Sequence, residues 1–139
     1  MAYVNTIDYI TMGSTGNATD FGDLTLERWM GEGNAGSSTR GLFSGGNVPG
    51  TSSNVIDYIT IASTGDATDF GDLTVARGYM ATGSNNTRCT WGGGYPATNV
   101  IDYITIASTG DAADFGDMTA AKYTTGGFSN GHGGLLLTG

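Results

Sequence analysis

Residues 54–74 read NVIDYITIASTGDATDFGDLT; the phrase returns at 99–119 as NVIDYITIASTGDAADFGDMT and stands near the start as VNTIDYITMGSTGNATDFGDLT, from Val4 to Thr25. Near-identical phrases in similar surroundings adopt one structure, so the chain is an array of one repeated unit. Ile7, Ile56 and Ile101 mark its period, at separations of 49 and 45 residues. Within the phrase, Val55–Ile61 is a β-branched run that predicts a strand. Ser63–Asp66 is a turn whose Gly65 supplies a positive φ, and Ala67–Thr74 is the returning strand. Working outward, Val75–Gly78 crosses to a third strand around Tyr79–Gly83, Ser84–Thr87 turns into a fourth at Arg88–Trp91, and Gly92–Gly94 ends it. No tract between glycines is long enough to carry apolar residues at i, i+3, i+4 and i+7, which excludes helix.

Four strands in a unit of this length, rich in glycine and β-branched residues, predict an all-β propeller with one four-stranded blade per repeat. The units run 1–27 as a half blade, 28–75 and 76–119 as blades, and 120–139 as a second half blade, all in one repeat domain. With 25 Gly, 2 Pro and 13% charged residues, few positions are spent on a charged surface. A net charge of −8 with only five Lys and Arg, none clustered, argues against nucleic acid as partner. No apolar run approaches membrane-spanning length and no export signal is visible, so membrane insertion is not expected. A single cysteine, Cys89, cannot form an internal disulfide.

Read from the crossover, the unit is Arg, strand, aromatic, small residue, Gly-Gly, variable loop, strand, turn, aromatic, Leu-Thr, Arg. Gly45-Gly46 and Gly93-Gly94 each follow an aromatic, Phe43 or Trp91, by one intervening residue. This pattern resembles a kelch repeat over nearly the whole chain. The resemblance implies that Phe21, Phe70 and Phe115 stand in for the family's late tryptophan, and that Arg28, Arg77 and Lys122 occupy its inter-blade cation position. More narrowly, the phrase resembles kelch-like repeats in predicted structural and tail-fibre proteins of tailed bacteriophages. That likeness implies a place in a virion.

Charge placement separates scaffold from site. Asp8, Asp57 and Asp102 share a register, as do Asp20, Asp69 and Asp114, and Asp23, Asp72 and Asp117. A catalytic group is needed once, a framework group in every blade. These repeated charges are therefore expected as turn-forming and inter-blade hydrogen-bonding groups, Asp20, Asp69 and Asp114 among the structural inter-blade set, with Arg28, Arg77 and Lys122 meeting carboxylates of a neighbouring blade in charge-assisted pairs. Asp66, Asp69 and Asp72 lie close in sequence, yet strand alternation sends Asp69 and Asp72 to opposite faces and no calcium-loop pattern surrounds them; neither metal nor cofactor is expected. Asp69-Phe70-Gly71 spells the kinase metal motif without that motif's partners. His132, in a glycine-rich turn, reads as a turn residue, and Cys89 as a small buried one.

The positions where one repeat departs from the others remain: Glu27, Trp29 and Glu32 at or just after a crossover, and the loops that begin at Asn47 and Tyr95. Loops on one face of a rigid scaffold are where binding resides, which makes these five residues the candidate ligand face. Trp29 is suited to stacking on a sugar or to packing between blades. No residue set reads as catalytic. The expected function is a non-enzymatic structural and binding propeller, a virion or tail component engaging a host-surface glycan or another virion protein. The competing readings are a propeller-type carbohydrate-active enzyme, a hydrolase or lyase using Glu27 and Glu32, and an intracellular kelch scaffold. Because propellers have about 4 to 8 blades, the half blades are expected to close with a second chain into a six-bladed homodimeric ring; the alternative is a piece of a longer array.

Overall fold

The computed structural model describes residues 2–29 and 33–138. It is all-β among those residues, with every ladder antiparallel. β1 (Val4–Tyr9) pairs with β2 (Thr19–Arg28). A four-stranded meander follows: β3 (Gly33–Gly36), β4 (Arg40–Ser44), β7 (Val55–Thr60) and β8 (Thr68–Asp72), with a small hairpin of β5 (Asn47–Val48) and β6 (Thr51–Ser52) inserted between β4 and β7. β9 (Ala81–Ser84), β10 (Arg88–Gly92), β11 (Thr98–Thr105) and β12 (Ala113–Lys122) repeat the meander, and β13 (Thr124–Ser129) pairs with β14 (Gly134–Thr138). The three copies of the repeated phrase are β1–β2, β7–β8 and β11–β12. The hairpins β3–β4, β9–β10 and β13–β14 supply the other half of the unit.

Each phrase carries the same bulge. Ile56 faces Gly71 but Asp57 faces Asp69, leaving Phe70 as the extra residue; Ile7/Asp8 and Ile101/Asp102 show the same shift against β2 and β12. A bulge re-aims a side chain, and here it is the phenylalanine. Phe70 is buried in one core cluster with Leu42, Ile56, Leu73, Met80, Cys89, Trp91, Ile104 and Ile106, residues drawn from both meanders. Burying each large side chain contributes about 2–3 kcal/mol.

Close approach of backbone holds adjacent sheets together. Gly65 N–H donates to Phe21 O and Ala67 N–H to Asp23 O; Gly110 N–H to Phe70 O and Ala112 N–H to Asp72 O repeat this one unit on, all at 2.7–2.8 Å. Gly71, at φ 141°, leaves room for this: a Cβ there would lie 2.5 Å from the Gly110 carbonyl. At Gly45 (φ 66°) a Cβ would stand 2.2 Å from Arg77 O, so the double glycine is what admits the Arg77 crossover beside β4.

Candidate functional site

Two sets of residues are placed by this framework, one inside the joints between sheets and one in a surface cleft. In the joints, Arg28 at the end of β2 pairs with Asp57 on β7, and Arg77 after β8 pairs with Asp102 on β11 at 2.9 Å; all four side chains are buried. Arg28 also donates to Gly45 O (2.9 Å), and Arg77 to Trp91 O (3.2 Å). Burial lowers the Arg77 pKa, and the Asp102 carboxylate opposes that shift. Thr25 Oγ1 and Thr74 Oγ1 donate to the other oxygen of the same aspartates, each at 2.6 Å. Each carboxylate thus has a cation, a hydroxyl and a backbone N–H on it, as a buried charge requires.

The carboxylates that meet the arginines are Asp57 and Asp102, and the inter-blade part expected of Asp20, Asp69 and Asp114 needs correction. The arginines are not met by the register of Asp20, Asp69 and Asp114. Asp69 and Asp114 are exposed and turn back on their own bulge, accepting from Gly71 N–H (3.0 Å) and Gly116 N–H (2.8 Å), and Asp20 is exposed at the same register. The bulge shifts the pairing so that Asp57 and Asp102 enter the joint while Asp69 and Asp114 face water. Asp66 and Asp111 cross the joints too, accepting from Asp23 N–H and Asp72 N–H at 3.1 Å. Lys122 is exposed at the end of β12; its carbonyl accepts from Gly94 N–H (3.0 Å).

The surface cleft is an open depression of about 420 Å³ lined by Tyr3, Trp29, Asn47, Ser52 and Tyr95, with Val48, Thr51, Ala76 and Pro96 among them. Its geometry follows from the crossovers. Trp29 exchanges two backbone hydrogen bonds with Asn47 (2.9 and 3.1 Å), and Gly78 exchanges two with Tyr95 (3.0 and 2.7 Å), so the residue after each inter-sheet arginine is tied to the residue after each double glycine. This brings Trp29, Asn47 and Tyr95 to one end of adjacent sheets. Tyr95 is 48% exposed and stacks edge-on against Tyr123, with ring centroids 5.3 Å apart. Ser52 Oγ donates to Asn47 Oδ1 (3.3 Å), which fixes the amide. Glu27 is exposed on β2 and does not line the cleft; Glu32 lies outside the described residues. Tyr3 has no counterpart in the repeated phrase and was not legible as part of this face.

His132 sits in a turn closed on Asn130 Oδ1, which accepts from the N–H groups of His132 and Gly133 at 2.9 Å. Cys89 is fully buried, and burial pushes its thiol pKa far up. Among the described residues no group of three or more His, Cys, Asp or Glu is placed to hold a metal ion, and no helix is long and apolar enough to cross a membrane.

A solved structure described as a novel fungal alcohol oxidase with catalytic diversity among the AA5 family, in complex with copper, is similar in fold. The TM-score is 0.70 at 13% identity, over 90% of this chain and 30% of that one. At this identity the likeness shows the fold alone, and the chain spans under a third of that protein's length. No family model and no curated protein matches the sequence.

Proposed function

We propose that the chain is a kelch-like β-propeller module that binds rather than transforms its ligand, serving as a structural and attachment component of a tailed-phage virion that engages host-surface glycans. One observation carries the binding half of this reading: the cleft whose lining combines Trp29, Tyr95 and Tyr3 with the Asn47 amide. Aromatic rings stack on the apolar face of a pyranose, while amide and hydroxyl groups fix its orientation. Among the described residues no cation lines the cleft, and the chain carries a net charge of −8, so the favoured ligand is a neutral glycan. The virion half rests on the resemblance of the repeated phrase to phage structural and tail-fibre repeats.

The test is a glycan array with wild type, Trp29→Ala and Tyr95→Ala, together with binding to bacterial cells before and after periodate oxidation of their surface sugars. Binding of neutral glycans that Trp29→Ala abolishes, and loss of cell binding after periodate, are the expected results. An array without hits, or unchanged binding by Trp29→Ala, would sink the proposal.

A further inference from the structure

The two outer faces of the array are complementary halves of the joint seen twice inside it. At the second meander's free face, Phe115 is 55% exposed, whereas its equivalents Phe21 and Phe70 are 8% and 2% exposed beneath the next sheet. Gly116 (φ 138°) has nothing within 4 Å of a Cβ position, whereas Gly22 and Gly71 would have Gly65 and Gly110 backbone at 2.4–2.5 Å. Lys122 and Thr119 stand at the registers of Arg77 and Thr74, which grip Asp102. A cavity of about 250 Å³ bordered by Ile101, Phe115, Arg88 and Ser129 opens on this face.

The opposite face, on β1–β2, carries what these groups lack. Asp8, at the register of the buried Asp57 and Asp102, is exposed. Ile10 and Met12 are 60% and 91% exposed, whereas Ile104 and Ile106 at the same registers are 3% and 2%. Gly16 and Asn17 match Gly65-Asp66 and Gly110-Asp111, the turn that docks on Gly22 and Gly71. Among the described residues β1 pairs only with β2, and β14 only with β13, so each face also presents a free strand edge.

We propose that a second copy of this chain docks here, head to tail, so that Lys122 and Thr119 of one copy grip Asp8 of the other, and Ile10 and Met12 fill the cavity beside Phe115. Transferred from β4–β7 and β10–β11, the register sets Leu136 opposite Asp8 and Gly134 opposite Ile10, and β13–β14–β1–β2 becomes a third kind of meander, shared between chains. Arg88 then donates to Met12 O of the other copy, as Arg40 donates to Ile106 O within the chain (2.6 Å). Two such joints related by a two-fold axis close a ring and pair the free β14 and β1 edges of each chain. The charges of the two faces choose the occupant: cation on one, its registered carboxylate on the other. This closure rests on the propeller reading above but not on any ligand.

Native mass spectrometry of the wild-type chain is expected to give twice 14.2 kDa; a monomer at micromolar concentration, as would follow if the face were filled by a further repeat of a longer polypeptide, overturns the proposal. Lys122→Asp and Asp8→Lys place like charges in both joints and are each expected to be monomeric. Mixed in equal amounts they restore the dimer, because one joint of the heterodimer is native and the other charge-reversed. Single variants that remain dimeric, or folded variants whose mixture stays monomeric, overturn the proposal. Should a charge variant lose its strand spectrum, Met12→Glu alters a side chain exposed in the single chain, and a folded dimer of it overturns the proposal equally. A dimer without glycan binding leaves the closure standing and removes the function proposed above; a glycan-binding monomer does the reverse.

Discussion

Arg77 and Asp102 meet at 2.9 Å across the joint between two sheets, both excluded from water, with Thr74 on the second carboxylate oxygen. The chain thus fastens its sheets with a charged clamp inside an apolar core. Such a pair gains little over a well-packed apolar substitute, yet removing one partner leaves an unpaired buried charge.

Arg77→Ala should therefore destabilise the protein by about 3–5 kcal/mol, lowering Tm by about 10 °C or more. Thermal unfolding followed by circular dichroism checks this. A Tm within a degree or two of wild type would show that the joint does not depend on the clamp.

The glycine bulges give a second, purely steric test. Gly71→Ala adds a Cβ 2.5 Å from the Gly110 backbone at φ 141°, whereas Gly65→Ala, at φ 150°, meets nothing within 4 Å. Both incur backbone strain of about 1–2 kcal/mol, but only the first also forces sheets apart, adding about 1–3 kcal/mol. In urea titrations Gly71→Ala should unfold well before Gly65→Ala. Equal midpoints would mean that the sheets yield without cost.

The repeats made the strands and their pairing legible, because β-branched runs, the Ser-Thr-Gly turns and the double glycines recur at fixed registers. The clamp was legible only in part. Arg28 and Arg77 stand out as repeated cations, but three aspartate registers accompany them, and the bulge at Phe70 decides which one turns inward. Alternation alone cannot count an inserted residue. Of the cleft, Trp29, Asn47 and Tyr95 were visible as departures between repeats. Tyr3 was not, because its neighbours come from a crossover distant in sequence.

Cys89 offers a check on the core. Its side chain is fully buried and burial holds the thiol neutral, so the nucleophilic thiolate is suppressed at any ordinary pH. Labelling of the native protein by a thiol reagent should be negligible at pH 7 and still negligible at pH 9, and complete in denaturant. Rapid native labelling that rises with pH would place the thiol at the surface.

Asp72 carries a pH prediction of the opposite kind. Desolvation, then the nearby Asp111 and Asp69 carboxylates, raise its pKa above the ordinary 3.8. Between the unfolded and the raised folded value the native state binds more protons, so stability falls as pH rises through that window, and the ionised side chain is destabilising at neutral pH. Asp72 is largely solvated, so salt screens much of this effect. Asp72→Asn keeps the backbone N–H that donates to Asp111 Oδ1 and removes the charge. It should raise Tm by about 1–2 °C at pH 7 in low salt. The gain should shrink in high salt and vanish near pH 3, where the carboxyl of the wild type is protonated in both states. A lower Tm at pH 7, or a gain that grows on acidification, would contradict the crowding of carboxylates at this joint.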